Sequence, residues 1–445
     1  MKIIIAGAGR AGSLLAEMLY KDNDVIVIEH DKEVLDNLSV RIDIGIRLGN
    51  ALDPSLLQEI MSSSCDLFVA TLGDDRTNII SCSCAKKFGA TRVVALVSDP
   101  LYIDNPLYYE DIFGIDYFLS PDQLAATDIA NFVERPGLLV SEEYGNDRIQ
   151  FYELRVWNQF KDSGKSLKEI MGSVKDLFVI GYIKSGKQVD IPTGDTIIKS
   201  GDILGIFGKR DNIVRATRIF VGDWNKKKQV AILGGTNISV QIVRALKDKV
   251  SIIKLFEKDR TRAEELSEML SRYKVEIIND DPLFNRSLWV SIKDFDVFVT
   301  PTHDDERNVV AASLAKDIGI PYVASVIYNK LFGELIDRFS IDFSVIPYFS
   351  FVNRSLRIVY QNTVKHLLNM RGIEIAEFEI TKSFKYLDKE LKDLRFDIGC
   401  VVAGIIRNEQ PIIPIGTDVI KEKDRVIIVA KADKFNEVSR IFTGE

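Results

Sequence analysis

Short runs of apolar, β-branched residues alternate with amphipathic stretches along the first hundred residues. Residues 2–6, 24–28, 44–48, 67–71 and 92–97 have the length and composition of buried strands. Between them, "SLLAEMLY" and "KEVLDNL" carry apolar positions at helical spacing. Strands that alternate with helices predict a parallel sheet covered on both faces. The rhythm returns at 229–233, 250–255, 274–278, 295–300 and 321–326. A second pattern follows each sheet. "RIQFYELRVW" at 148–157 alternates as a strand, "SLKEIMGSVKDL" reads as a helix, and "LFVIGYIKSGKQVDIP" holds two strands joined by a Ser-Gly turn. "GDILGIFGKRDNIVRATRIF" supplies a last strand and helix. This predicts a small α+β lobe that returns at 373–442. "VERPGLLVSEEYGND" reads as a linker, and so does the lysine-rich "VGDWNKKKQ" at 221–229.

The two halves are copies of one another. "KIIIAGAGRAGSLLAEML" at 2–19 matches "QVAILGGTNISVQIVRAL" at 229–246. "LFVATLGDDRTNII" at 67–80 matches "VFVTPTHDDERNVV" at 297–310. "IPTGDTIIKSGDILGIFGK" at 191–209 matches "IPIGTDVIKEKDRVIIVAK" at 413–431. Three matches in one order at similar offsets mark a duplication. Length alone suggests about three domains of about 150 residues. The repeat raises that to four: 1–136, 140–222, 228–350 and 371–445. The expected fold is α/β, with two Rossmann-like parallel-sheet domains, each followed by a small α+β lobe. The helical stretches "PDQLAATDIANFV" and "FVNRSLRIVYQNTVKHLL" carry apolar positions that suit either crossover and interface contacts or ordinary core packing.

Charge and composition narrow the partners. Of 445 residues, 46% are apolar and 28% charged, as in ordinary soluble proteins, and the net charge is −7. Nucleic acid and anionic lipid both call for a basic face, so neither is expected as the main partner. No stretch reaches the length of a membrane span. The strand pattern starts directly after Met1, leaving no room for a leader, so the expected compartment is the cytosol. Cys65, Cys82, Cys84 and Cys400 lack zinc-type spacing and are expected as packed thiols.

The glycines of "KIIIAGAGRAG" carry the candidate chemistry. In a G-x-G-x-x-G turn between strand and helix, Gly7 permits the tight turn, Gly9 admits backbone amides to a pyrophosphate, and Gly12 lets the helix pack closely. The phosphate would sit at the helix N-terminus among Ala8, Arg10 and Ala11. Glu29 ends the second strand, twenty residues after Gly9. An acid there accepts ribose hydroxyls and repels a 2′-phosphate, which favours NAD(H) or an adenine nucleotide over NADP. The second copy is altered: Gly234 and Gly235 survive, Thr236 and Ser239 replace the next two glycines, and Glu257 keeps the acid. Asp74 and Asn78, with their copies Asp304 and Asn308, follow the fourth strands; Asn50 and Asp53, and Asp280 and Asp281, follow the third. Helix capping and ligand contact account equally well for these Asp and Asn positions.

A reaction centre is harder to find. Nicotinamide chemistry needs a proton donor or acceptor beside the hydride. His30 follows the ribose acid, His303 precedes two aspartates, and His366 lies in a helix between domains. No G-x-S-x-G, H-E-x-x-H or P-loop motif occurs. The balance leans towards a nucleotide that carries a signal, with an NAD-dependent oxidoreductase of two Rossmann-like halves as the alternative.

"KIIIAGAGRAG", "VIVIEHD", "VATLGDDRTNII", "DYFLSPDQLAATDIANFVERPG", "IPTGDTIIKSGDILGIFG" and "KLFEKDRTRAEELSEML" together resemble the TrkA family of peripheral subunits of Trk potassium uptake, which carry two RCK units. The resemblance spans essentially the whole chain. It implies a non-enzymatic regulatory subunit that binds NAD(H), ATP or ADP in its N-lobes. It also implies a homodimer or homotetramer docked on an integral-membrane Trk-type potassium transporter subunit, at the inner face of the membrane. On this sequence it implies that Gly7 to Gly12 cradle phosphate and Glu29 holds ribose. Thr71, Gly73 and Asp74 would border the adenosine, with Gly234, Gly235 and Glu257 serving the second lobe. Where that family often has arginines, "VALVSDPLY" places Leu96 and Ser98, which removes charge suited to a terminal phosphate.

Overall fold

The computed structural model describes every residue except 63, 146–147, 158–159, 173–176, 187, 223–225, 330–331, 333–338, 340, 361–371, 394–398 and 444–445, and, for 360 and 436, the backbone only. His366 therefore lies outside the described residues. The chain forms two compact units, one of Met1–Val133 and Lys228–Gln361, the other of Glu134–Lys227 and Asn362–Glu445.

The first N-lobe alternates strand and helix: β1 (Lys2–Ala6), α1 (Arg10–Leu19), β2 (Asp24–Glu29), α2 (Lys32–Arg41), β3 (Gly45–Leu48), α3 (Pro54–Ile60), β4 (Cys65–Ala70), α4 (Asp75–Lys87), β5 (Ala90–Leu96), α5 (Pro100–Asp104), α6 (Pro106–Phe113), β6 (Tyr117–Leu119) and α7 (Pro121–Glu134). The sheet order is β3-β2-β1-β4-β5-β6, all parallel. Parallel strands are buried on both faces, which is why β1 is almost wholly apolar. Ile3 and Ile5 pack on one side with Leu15, Leu19 and Val27. Ile4 and Ala6 pack on the other with Phe68, Leu57 and Val93. The strand order reverses between β1 and β4, and the crevice at their carboxyl ends is where such sheets bind ligands. The sixth strand was not expected: three residues are too few for a periodicity to show.

In the first C-lobe, β7 (Leu138–Tyr144), β8 (Ile149–Arg155), α8 (Leu167–Met171), β9 (Phe178–Ser185), β10 (Gln188–Asp190), β11 (Ile203–Gly208) and α9 (Arg210–Phe220) build an antiparallel sheet of order β10-β9-β11-β8-β7. β7 corrects the linker expected at "VERPGLLVSEEYGND". "LLVSEEY" mixes apolar and charged residues because it is an edge strand, held by β8 on one side only. The Ser-Gly turn between β9 and β10 is present, with Gly186 at φ +60.

The second N-lobe repeats the first: β12 (Gln229–Leu233), α10 (Asn237–Ala245), β13 (Ile252–Phe256), α11 (Arg260–Met269), β14 (Val275–Ile278), α12 (Arg286–Ile292), β15 (Val297–Thr300), α13 (Asp305–Asp317), β16 (Tyr322–Val326), β17 (Phe343–Val345) and α14 (Pro347–Tyr360). Its sheet order, β14-β13-β12-β15-β16-β17, copies that of the first. The last helices are exchanged between the lobes. Ala125, Ile129, Phe132 and Val133 of α7 sit in the core of the second lobe with Val230, Ile232 and Val299. Phe351, Val352, Ile358 and Val359 of α14 sit in the core of the first with Ile3, Leu15 and Val27. Phe132 stacks on Phe343 at 4.9 Å. The two helices also meet directly, where Ser350 donates to Asp128 at 2.6 Å. Within the described residues both stretches thus serve crossover and core at once; residues 361–368 of the second stretch lie outside the described residues.

The second C-lobe contains β18 (Ile373–Glu379), a 3-10 turn at Leu391–Asp393, β19 (Cys400–Arg407), β20 (Gln410–Ile412), β21 (Arg425–Lys431) and α15 (Phe435–Thr443), in the sheet order β18-β21-β19-β20. The two C-lobe sheets share a core. Tyr144, Phe151, Tyr182 and Phe207 pack against Ile375, Ile406, Ile427 and Val429.

Candidate functional site

The first glycine turn is built as the spacing implies. Gly7 has φ +100, a conformation that side chains disfavour, and a Cβ there would lie 2.7 Å from the Thr71 carbonyl oxygen. A Cβ on Gly12 would lie 1.9 Å from the Gly7 carbonyl oxygen and 2.6 Å from Thr71 Oγ1. Gly9 differs: nothing lies within 4 Å of a Cβ placed on it. No packing within the chain explains that glycine, which suits a group approaching from outside. Gly9 is also the N-cap residue of α1, and no side chain caps that helix. The first-turn amides of α1 therefore have no side-chain cap, which leaves the positive end of the helix able to take an anion.

Glu29 braces this turn. It is 8% exposed, and its Oε2 accepts the Ala8 amide at 2.7 Å while Oε1 accepts the His30 amide at 2.8 Å and the Asp31 amide at 3.2 Å. Burial alone raises its pKa; the amides of Ala8, Asp31 and His30 outweigh burial and hold the carboxyl below its ordinary value. A carboxylate has about four acceptor positions, so Oε2 keeps capacity for a hydroxyl. His30 Nδ1 lies 2.5 Å from Glu29 Oε1, and its side chain is otherwise exposed.

The remaining residues of the first site serve the framework as well. Thr71 donates from Oγ1 to the carbonyls of Ala6 (3.1 Å) and Gly7 (3.0 Å), tying β4 to the turn. Asp74 caps α4 by accepting the Thr77 amide at 3.0 Å, and the Thr77 hydroxyl bond lowers its pKa. Nothing within 4 Å constrains Gly73. Asn50 is exposed and accepts the Leu52 amide at 2.9 Å. Asn78 is fully buried and clamps Leu72 and the Leu96 carbonyl; Asn308 does the same for Thr302 and Val326. The neighbouring carboxylates were not singled out from sequence. Asp75 accepts the amides of Ser98 and Asp99, as Asp305 accepts those of Tyr328 and Asn329. Their signal was the Asp-Asp pair kept in both copies. Ser98 and Arg10 join Asp122, His303, Asp305 and Tyr328 around a 790 Å³ cavity between the two N-lobes. Burial raises the pKa of Asp122, against the opposing charge of His303.

The second turn keeps the frame and changes the chemistry. Gly234 has φ +92, and the Gly235 amide donates to Glu257 Oε2 at 2.6 Å, as Ala8 does to Glu29. At the position of Gly9 stands Thr236, whose hydroxyl accepts the Ser239 amide and caps α10. A 400 Å³ cavity lies beside it, lined by Gly234, Thr236, Phe256, Glu257, Asp280, Asp304 and Arg307 among others. Asp280 accepts from Asn285 Nδ2 at 2.6 Å, and Asp304 caps α13 through the Arg307 amide at 2.9 Å.

Comparison with known proteins agrees with this frame. Residues 3–121 and 230–347 match the TrkA-N domain, and residues 163–221 and 375–443 match the TrkA-C domain. The chain belongs to the TrkA family. Both TrkA-N matches hold a glycine turn and a strand-end acid, and both TrkA-C matches fall in the C-lobe unit. The chain is 26% identical to the Trk system potassium uptake protein TrkA homolog of Archaeoglobus fulgidus, over 99% of this chain and 100% of that one. It is 27% identical to the Trk system potassium uptake protein TrkA of Haemophilus influenzae, over 99% and 98%. Among solved structures, the GsuK RCK domain aligns at TM-score 0.59 and 16% identity, covering 100% of this chain and 95% of that one. The GsuK channel bound to NAD aligns at TM-score 0.60 and 14% identity, covering 100% and 79%. At that identity these likenesses speak to the fold. No helix among the described residues of this TrkA-family chain is long and apolar enough to cross a membrane.

Proposed function

We propose that the chain is a nucleotide-binding regulatory subunit of a Trk-type potassium uptake system and works without catalysis. The observation that carries this reading is the open Gly9 position at an uncapped helix N-terminus, beside the braced Glu29. Relatives named as Trk potassium uptake proteins along the whole chain support it, and so does an NAD-bound channel of the same fold. The ligand is NAD(H), ATP or ADP. Gly7, Ala8, Gly9, Arg10, Ala11 and Gly12 hold its phosphates and Glu29 its ribose, with Thr71, Gly73, Asp74, Asn50 and Ser98 around it. Gly234, Gly235, Thr236, Glu257, Asp280 and Asp304 form a second-lobe site with a ligand of its own. The domains are 1–136, 140–222, 228–350 and 371–445.

The regulation follows from thermodynamics. A ligand shifts a protein between two conformations only by binding one more tightly. A phosphate gripped by the turn fixes α1 against the sheet, and α1 packs against α14 of the other half. Assembly into a homodimer or homotetramer on an integral-membrane partner, at the inner face of the membrane, would sum these shifts. Calorimetry with ATP, ADP, NAD⁺ and NADH tests the site: Glu29→Ala and Gly9→Val are expected to lose binding in the first lobe, and unchanged affinity in both would end the reading. Steady consumption of NADH by the pure chain would favour the oxidoreductase alternative instead.

A further inference from the structure

The two N-lobes part company where a phosphate would sit, yet the second keeps a cavity. Its 400 Å³ falls within the range of small-molecule sites, about 300–1,000 Å³. Leu233 and Phe256 close it off from the core without exposing surface of their own, and Glu257 is part of its lining.

Three features of this cavity disfavour an anion. Thr236 puts a branched side chain where Gly9 leaves open space, and its hydroxyl donates to the Pro301 carbonyl at 2.8 Å while accepting the Ser239 amide at 3.3 Å. The N-terminus of α10 is thus satisfied from within, and Asp304 does the same for α13. Glu257, Asp280 and Asp304 put three carboxylates on the lining against two cations, Lys258 and Arg307. The Arg307 guanidinium, which could answer a phosphate, lies 2.5 Å from the buried Asp281 carboxylate instead. What remains suits a neutral ligand. Glu257 accepts one amide on each oxygen, Gly235 at 2.6 Å and Asp259 at 2.8 Å, which leaves lone pairs for two hydroxyls.

We propose that the second N-lobe binds an uncharged nucleoside in this cavity, with its ribose hydroxyls on Glu257, and rejects the phosphorylated form that the first lobe takes. This rests on the nucleotide reading above, because it carries the pairing of ribose with a strand-end acid from one lobe to the other. The full chain would then read two species at once, a nucleotide and the nucleoside left when its phosphates are removed.

Calorimetry on full-length Gly9→Val, which silences the first lobe, tests this with adenosine, AMP and ADP as probes. One adenosine is expected to bind, with ADP at least about tenfold weaker than adenosine. Adding Thr236→Gly is expected to tighten ADP about tenfold and leave adenosine unchanged, because freed amides and a missing methyl then admit phosphate. Thr236→Ser, which keeps the cap, is expected to keep the discrimination. Glu257→Ala in a chain of unchanged melting temperature is expected to abolish adenosine binding. ADP binding as tightly as adenosine, or more tightly, in Gly9→Val would overturn the proposal. So would absence of adenosine binding to a Gly9→Val chain that melts like wild type. If wild type binds ADP in the first lobe and either result appears, this proposal alone fails; if wild type binds no nucleotide, the first-lobe reading fails, while adenosine heat lost with Glu257→Ala still supports the second.

Discussion

The two glycine turns occupy the same place in matching sheets, and they solve the start of the following helix in opposite ways. In the first, Gly9 leaves α1 without a side-chain cap and with open space around it. In the second, Thr236 caps α10 from within. The strand-end acids did not diverge: Glu29 holds the Ala8 amide and Glu257 the Gly235 amide at nearly equal distances. The difference separates two demands on one motif. The acid and the first glycine hold the turn together; the second glycine serves whatever arrives from outside.

Substitutions can pull these demands apart. The largest effect is expected for Gly12→Val, whose Cβ would meet the Gly7 carbonyl at 1.9 Å. It should cost about 5 kcal/mol or prevent folding, read from urea midpoints. Ser239, at the matching position, already carries a side chain and tolerates Ala far better. Phe351→Ala, which empties a fully buried position where α14 enters the first lobe, should cost about 3–4 kcal/mol. Gly9→Val should change stability by no more than about 0.5 kcal/mol. The same change should weaken nucleotide binding to the first lobe about 100-fold by calorimetry, and a large loss of stability instead would erase the contrast between the turns. Thr236→Ala removes a cap the first lobe does not have and should cost about 1 kcal/mol in thermal melts.

The smallest effect is a pH dependence. Glu29 is held below its ordinary pKa, so its stabilisation is complete above about pH 4.3 and is lost as pH falls through the lower folded-state value. Glu29→Gln cannot titrate. Its melting temperature should trail wild type at neutral pH, and the gap should close as the pH drops below about 4.3.

Much of the frame was legible because it repeats. The parallel strands, both glycine turns and both acids stand in matching order in the two halves, and the buried runs that form β1 and β12 admit few other readings. Other features escaped for identifiable reasons. β6 and β17 are three residues each, too short to show a period. Leu138–Tyr144 looked like a linker because an edge strand tolerates charges that an inner strand does not. Asn78 and Asn308 left capping and ligand contact open; only burial shows them as clamps on the loops after the fourth strands. The apolar faces of residues 121–133 and 351–368 were visible, but a periodic pattern says that a face is covered and not by what. That each helix covers the other half's sheet needed three dimensions.

That exchange has a practical corollary for taking the protein apart. Severed between Val221 and Lys228, each fragment would carry a helix whose apolar side has lost its seat and a sheet stripped of its cover. Neither piece should persist alone, and the two, expressed together, should find each other and rebuild the missing layers.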